Sequence, residues 1–211
     1  MNFWHQIGRQ LGHPTGLAGR MVGNAMRIAN RRPNALAINA LEIGPRDDIL
    51  ELGFGPGQAI ERMVAQAPFG RIYGVDRSAV MLDQARKRNA DAIRSGRVYL
   101  KQCEFDRIPL SDASVDKILA VNVIYFWNDV AKVLQEVRRV LRPGGLLSIY
   151  ATDASAMRHW KFAGPDTHRL FDADELIAAL RHSGFVHDKI DVVKIRAAPG
   201  VPGLIARIEK H

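Results

Sequence analysis

Glu51-Leu52-Gly53-Phe54-Gly55-Pro56-Gly57 is the stretch that decides the fold. Ile49 to Leu52 reads as a short apolar strand, the glycines follow it directly, and Ala59 to Ala67 continues with helical spacing. Strand, glycine loop and helix in that order bring backbone and a helix N-terminus to a ligand at the carboxyl edge of a sheet. Glycine is required where a Cβ would block such an approach. A plain turn is the alternative, but three glycines at alternate positions exceed what a turn needs.

The same rhythm runs outward from the loop. Strands are predicted at Arg71 to Val75, Val98 to Lys101, Val115 to Val121 and Leu146 to Tyr150. Helices are predicted at Ala79 to Ile93 and at Val130 to Leu141, the latter closed by Arg142-Pro143-Gly144-Gly145. Repeated βαβ units with short connections imply an α/β domain with a parallel sheet and helices on both faces. After a helix from Ala173 to His182, Phe185 to Val193 and Leu204 to Lys210 read as two strands with no helix between them, hence antiparallel neighbours. Upstream, residues 1 to 14 are expected to form a loose arm. Leu17 to Ile28 forms an amphipathic helix, and a short helix begins near Pro33.

The 211 residues, 47% hydrophobic and 25% charged, suit one domain with a sizeable core. Its expected parts are an arm and helical lid (1–46), a cofactor-binding core (47–150) and a substrate-side segment with the final hairpin (151–211). Cys103 is the single cysteine, which excludes an intrachain disulfide and a thiolate zinc cluster and suits a reducing, cytoplasmic setting. No apolar run reaches membrane-spanning length. The net charge of +8 favours an anionic partner, and the bias is local: Arg9, Arg20, Arg27, Arg31, Arg32 and Arg46 face Glu42 alone before Asp47.

The loop spacing also selects a ligand. A dinucleotide site asks for glycine where this chain has Gln58, and Glu51 would sit against a pyrophosphate. A ligand with a sulfonium and an amino acid end tolerates that carboxylate far better, which favours S-adenosyl-L-methionine over NAD. Asp76, at the end of the second strand, is placed to accept both hydroxyls of a ribose; capping the helix that begins near Ser78 is a compatible second role.

Four segments in register carry a family resemblance. They are Glu51-x-Gly53-x-Gly55-x-Gly57, Gly74-Val75-Asp76-Arg77-Ser78 followed by Met81 and Leu82, Ile108-Pro109-Leu110-Ser111-Asp112-Ala113-Ser114-Val115-Asp116, and Leu141-Arg142-Pro143-Gly144-Gly145. Over residues 47 to 150 the chain resembles class I S-adenosylmethionine-dependent methyltransferases of the ubiquinone/menaquinone biosynthesis type. The resemblance implies a Rossmann-like seven-stranded, mostly parallel sheet with an antiparallel C-terminal hairpin. It implies cofactor contacts at Glu51, Gly53, Phe54, Gly55, Gly57, Asp76, Arg77 and Met81. It further implies Glu104 at the adenine amino group, with Asp106 competing, Phe105 beside the ring, and Asn122 along the methionine moiety.

The expected acceptor is a small molecule. Displacement at a methyl carbon is served mainly by holding the reactants in line, with a general base needed only for a protonated nucleophile. Candidate acceptor-side groups are Tyr125, Phe126, Trp127, His159 and Trp160, with His159 as the candidate base and Tyr125 beside it. His168, His182 and His187 lack metal-site spacing, so no metal is expected. The basic N-terminal helix reads as a lid, as an interfacial helix on anionic lipid with a lipid amine as acceptor, or as a plain solvated helix. No nucleic-acid-binding module is recognisable, and a cofactor-binding protein without turnover is the rival from another class.

Overall fold

A computed structural model describes residues 3–211. Seven strands form one sheet in the order β3-β2-β1-β4-β5-β7-β6. β1 (Ile49–Leu52), β2 (Ile72–Asp76), β3 (Val98–Gln102), β4 (Val115–Val121) and β5 (Leu141–Thr152) run parallel. β7 (Val201–Glu209) is antiparallel to both β5 and β6 (Lys189–Ala198), so it is the one reversed strand. This is the Rossmann-like sheet with an antiparallel C-terminal hairpin expected from the sequence.

β1 is central and buried along its whole length, and its side chains alternate between the faces. Ile49 packs with Ala37 and Ile38 of α3 (Arg31–Asn39), Leu41 just after it, Ile60 and Met63 of α4 (Gln58–Gln66) and Met81 of α5 (Ala79–Arg88). Leu50 and Leu52 pack on the other face, with α7 (Val130–Val140) and α9 (Ala173–His182). Glu51 shares the α3/α4 face, which carries its carboxylate into the interior below the loop.

Four expectations are corrected. Residues 3 to 12 are a helix, α1 (Phe3–Gly12), followed by α2 (Gly16–Ala29). The arm is ordered from residue 3 on, residues 1 and 2 lying outside the described residues, because Gly8, the one buried residue of α1, lies so close to the Phe162 carbonyl that a Cβ there would stand 2.5 Å from it. The helix expected through Ile93 breaks at Asn89 into α5 and α6 (Ala90–Arg94). The buried Asn89 amide donates to the carbonyls of Gly57 (3.1 Å) and Ala85 (2.9 Å) and so ties the glycine loop to α5. Arg142-Pro143-Gly144-Gly145 belongs to β5, where register jumps from Val115↔Leu141 to Lys117↔Leu146. Gly144, at φ 74°, donates its N–H to the Lys210 carbonyl. The final hairpin is shifted, with β6 starting at Lys189 rather than Phe185, because Phe185 is buried as a core plug ahead of the strand.

Candidate functional site

The strand carboxyl ends meet the N-terminal helices in a crevice of about 50 Å³. Its floor includes Glu51, Gly53, Phe54, Gly55 and Asp76, and its roof Leu11, Met26, Arg27 and Asn30. The roof is pinned by a few polar contacts. Arg77 Nη2 donates to the Gly12 carbonyl at 2.8 Å and Ser78 Oγ to the Pro14 carbonyl at 2.5 Å. Asn122 Nδ2 donates to Asn30 Oδ1 at 2.9 Å.

The loop is held by its own amides. Gly53 donates to the Val75 carbonyl (2.8 Å), Gly57 to the Phe54 carbonyl (2.9 Å), and Gly55 to Asp76 Oδ2 (2.8 Å). These three amides close the loop on itself. What glycine provides is conformation and room. Gly53 has φ 69°, and a Cβ there would lie 2.5 Å from Val123 Cγ2. Gly55 has φ 50°, and a Cβ there would meet nothing within 4 Å, on the open side of the crevice.

Two buried carboxylates converge below the loop. Asp76 accepts from Gly55 at Oδ2 and from Ser78 N at Oδ1, both at 2.8 Å, while Ser78 Oγ caps α5 by accepting from Met81 N. Burial pushes the Asp76 carboxyl up against the pull of those amides. Glu51 Oε2 is buried with no hydrogen-bond partner among the described residues. Desolvation, and then the neighbouring Asp76 charge, raise the Glu51 carboxyl well above the ordinary carboxylate range. Gln58 Oε1, in the same crevice, is likewise buried without a partner. The sequence reading treated Gln58 only as the residue that spoils a dinucleotide motif; a polar side chain opening the helix after the loop was the available signal.

Of the other expected residues, Phe54, Arg77, Met81, Phe105 and Asn122 line the crevice. Gly57 does not: it packs on α5, where a Cβ would stand 2.6 Å from Asn89 Nδ2. Glu104 and Asp106 are exposed and outside the lining. Glu104 lies 3.9 Å from Arg77, whose guanidinium sits 5.9 Å from the centre of the Phe105 ring. Asn122 adopts φ 52°, and its Oδ1 accepts from Tyr125 Oη (2.8 Å) and Thr152 Oγ1 (3.3 Å). Tyr125 Oη also accepts from Thr152 N, and burial raises its pKa. Its phenol is thus committed to holding β4 against β5. His159 is exposed and lines none of the described cavities near the crevice. His168 stands beside the site instead, buried against Phe126 with ring centres 4.7 Å apart. Among the described residues no group of three or more His, Cys, Asp or Glu could hold a metal ion, and no helix is long and apolar enough to cross a membrane.

Comparison with known proteins agrees with this geometry. Residues 50–149 match the sequence family described as methyltransferase domain. The chain is 31% identical over 172 residues to the protein of Bacillus subtilis (strain 168) described as uncharacterized methyltransferase YdaC, covering 82% of this chain and 88% of that one. It is 37% identical over 131 residues to the trans-aconitate 2-methyltransferase of Azoarcus sp. (strain BH72), but spans only 47% of that protein. Among solved structures, a chain from the complex of the Haloferax volcanii Trm112 methyltransferase activator with its putative methyltransferase superposes with a TM-score of 0.80. It is 19% identical and covers 92% of this chain and 95% of that one. A putative S-adenosylmethionine-dependent methyltransferase of Methanococcus maripaludis superposes with a TM-score of 0.70 at 21% identity, covering 92% of each chain.

Proposed function

This chain belongs to the class I S-adenosylmethionine-dependent methyltransferases, and from that premise we propose how its own residues hold the cofactor and where its acceptor comes from. S-adenosylmethionine supplies an electrophilic methyl carbon on a sulfonium; the acceptor's lone pair takes that carbon, and the carbon–sulfur electrons stay on sulfur as a neutral thioether. In this reading Asp76 grips the ribose hydroxyls, Phe105 and Met81 border the base, and Gln58 and Asn122 face the amino acid end. The observation that carries it is Glu51: a desolvated carboxylate with an unpartnered oxygen beside a second carboxylate suits a cationic ligand. A pyrophosphate would bring further negative charge to the same place.

α1 and α2 act as a lid. At about 50 Å³ the crevice as it stands is too small for a nucleoside, so the roof lifts for one to enter. Once closed, it excludes water from the reacting atoms. Isothermal titration should give saturable heat with S-adenosylmethionine and S-adenosylhomocysteine and none with NADH. Binding of NADH alone would overturn the assignment.

A peripheral contact with anionic lipid is favoured by a separate observation. Leu17, Met21 and Ile28 fall on one side of α2 and are 78%, 74% and 75% exposed. The inner side carries Gly19 and Gly23, packed on Pro14 and on Met81 and Gln84. Large apolar residues outside and glycines inside invert the usual soluble helix, and Arg20 and Arg27 flank the stripe. The protein should sediment with vesicles containing phosphatidylglycerol and not with phosphatidylcholine alone, and Met21→Ser should weaken that binding. Equal behaviour on both vesicles would dismiss the contact.

A further inference from the structure

A second cavity, of about 360 Å³, opens beside the crevice and shares Gly12, Arg77 and Phe126 with it. Its wall is unbalanced in charge: Arg9, Arg77 and Arg169 contribute to it against the single carboxylate Asp166. Arg77 is bonded to the Gly12 carbonyl, and its carboxylate neighbour, Glu104, stands 3.9 Å away on a side chain 63% exposed. The Arg169 guanidinium carbon lies 5.4 Å from the centre of the Phe171 ring.

Two buried residues line the same cavity. Trp127 is 4% exposed, and its indole N–H, a donor only, has no acceptor among the described residues. His168 Nδ1 lies 3.0 Å from Thr167 Oγ1, which also reaches the carbonyls of Phe162 (2.9 Å) and Gly164 (3.1 Å). Burial lowers the His168 pKa to about 4, so it stays neutral at physiological pH and adds no charge to the wall. This cavity thus sets guanidinium groups and an uncharged imidazole beside the crevice where the methyl group is expected.

We propose that the second cavity is the acceptor subsite and that it takes a small molecule bearing a carboxylate or phosphate, held by Arg169 with its nucleophilic atom at the wall shared with the crevice. This rests on the crevice being the cofactor site. Arginine suits the task because its planar fork pairs with both oxygens of such a group.

The test uses the full chain and S-adenosylmethionine tritiated at the methyl group. Acceptors are offered in pairs: carboxylic acids with their amides, and phosphomonoesters with their parent alcohols. Glycerol phosphate and phosphatidic acid vesicles, run side by side, separate a free ester from a lipid headgroup. Transfer is expected to the anionic member of at least one pair and not to its neutral partner. Arg169→Gln should then raise KM at least tenfold with kcat largely kept, while S-adenosylmethionine affinity by titration is unchanged. Equal transfer to neutral partners, an unchanged KM, or no transfer to any acceptor by protein that binds the cofactor would each overturn the proposal. A protein that fails to bind S-adenosylmethionine at all would instead strike the crevice assignment on which it rests.

Discussion

Glu51→Gln is expected to make the ligand-free protein more stable and a poorer binder at the same time. At pH 7.5 its melting temperature should rise by roughly 2 to 4 °C, the shift that about 1 kcal/mol produces in a chain of this size. The dissociation constant for S-adenosylmethionine should rise at least tenfold, which corresponds to about 1.4 kcal/mol. Both effects have one origin. The folded protein raises the Glu51 carboxyl through desolvation and the Asp76 charge, so at intermediate pH the folded chain holds a proton that the unfolded chain has lost. Stability from this group is fully present below the ordinary carboxylate range and is lost as pH rises through the folded value. Glutamine removes that loss, and with it the charge that a cationic ligand neutralises. Melting curves across pH should be flatter above pH 4.5 in the variant, and wild-type affinity should rise with pH as Glu51 ionises. The thioether product sharpens the assignment: equal losses for S-adenosylmethionine and S-adenosylhomocysteine place the ammonium at Glu51, and a loss confined to the former places the sulfonium there. Unchanged affinity for both would remove Glu51 from the site.

Asp76→Asn should lower cofactor affinity on the order of a hundredfold. The carboxylate does two jobs at once, accepting from Gly55 N and Ser78 N while standing at the end of β2 where the sugar is expected. An amide has one acceptor oxygen, so one of the two backbone N–H groups would face an NH₂ group instead. Hydrogen bonds to a charged group contribute about 1.5 to 3 kcal/mol each, so loss of one ribose contact together with loosening of Gly55 reaches the hundredfold range. The loop geometry depends on the same carboxylate, since the Gly55 N–H that it accepts from fixes the residue at φ 50°. Circular dichroism should stay native, because relief of the repulsion with Glu51 offsets part of the lost bonding. A folded variant that binds within threefold of wild type would show that Asp76 braces the loop without touching the ligand.

Much of the core was legible because its signals are local. The limits of β1, β4 and α9 follow from the apolar runs Ile49 to Leu52 and Val115 to Val121 and from the helical period after Asp172, each bounded by turn residues or caps. The same holds for the loop: Gly53 and Gly55 occupy positive φ, a requirement that sequence expresses directly as missing side chains. Asp76 could be placed at the crevice because a strand end next to a helix start is a fixed place in any βα unit.

What sequence alone did not disclose depends on partners distant in the chain. α1 is a helix because Gly8 rests on Phe162, and Gly144 sits in a strand because Lys210 accepts its N–H. Asn89 interrupts a good helical pattern to reach Gly57, a gain no periodicity can display. The acceptor side shows the same division. His159 and His168 look alike in a loop read residue by residue, and only packing leaves the first in solvent and buries the second against Phe126 and Thr167. Local pattern determined the sheet, the loop and the kind of cofactor, because backbone geometry is encoded within a few residues. Tertiary structure decided which polar groups lost their water, and that desolvation is what turns Glu51, Gln58 and Trp127 from ordinary side chains into groups that call for a ligand.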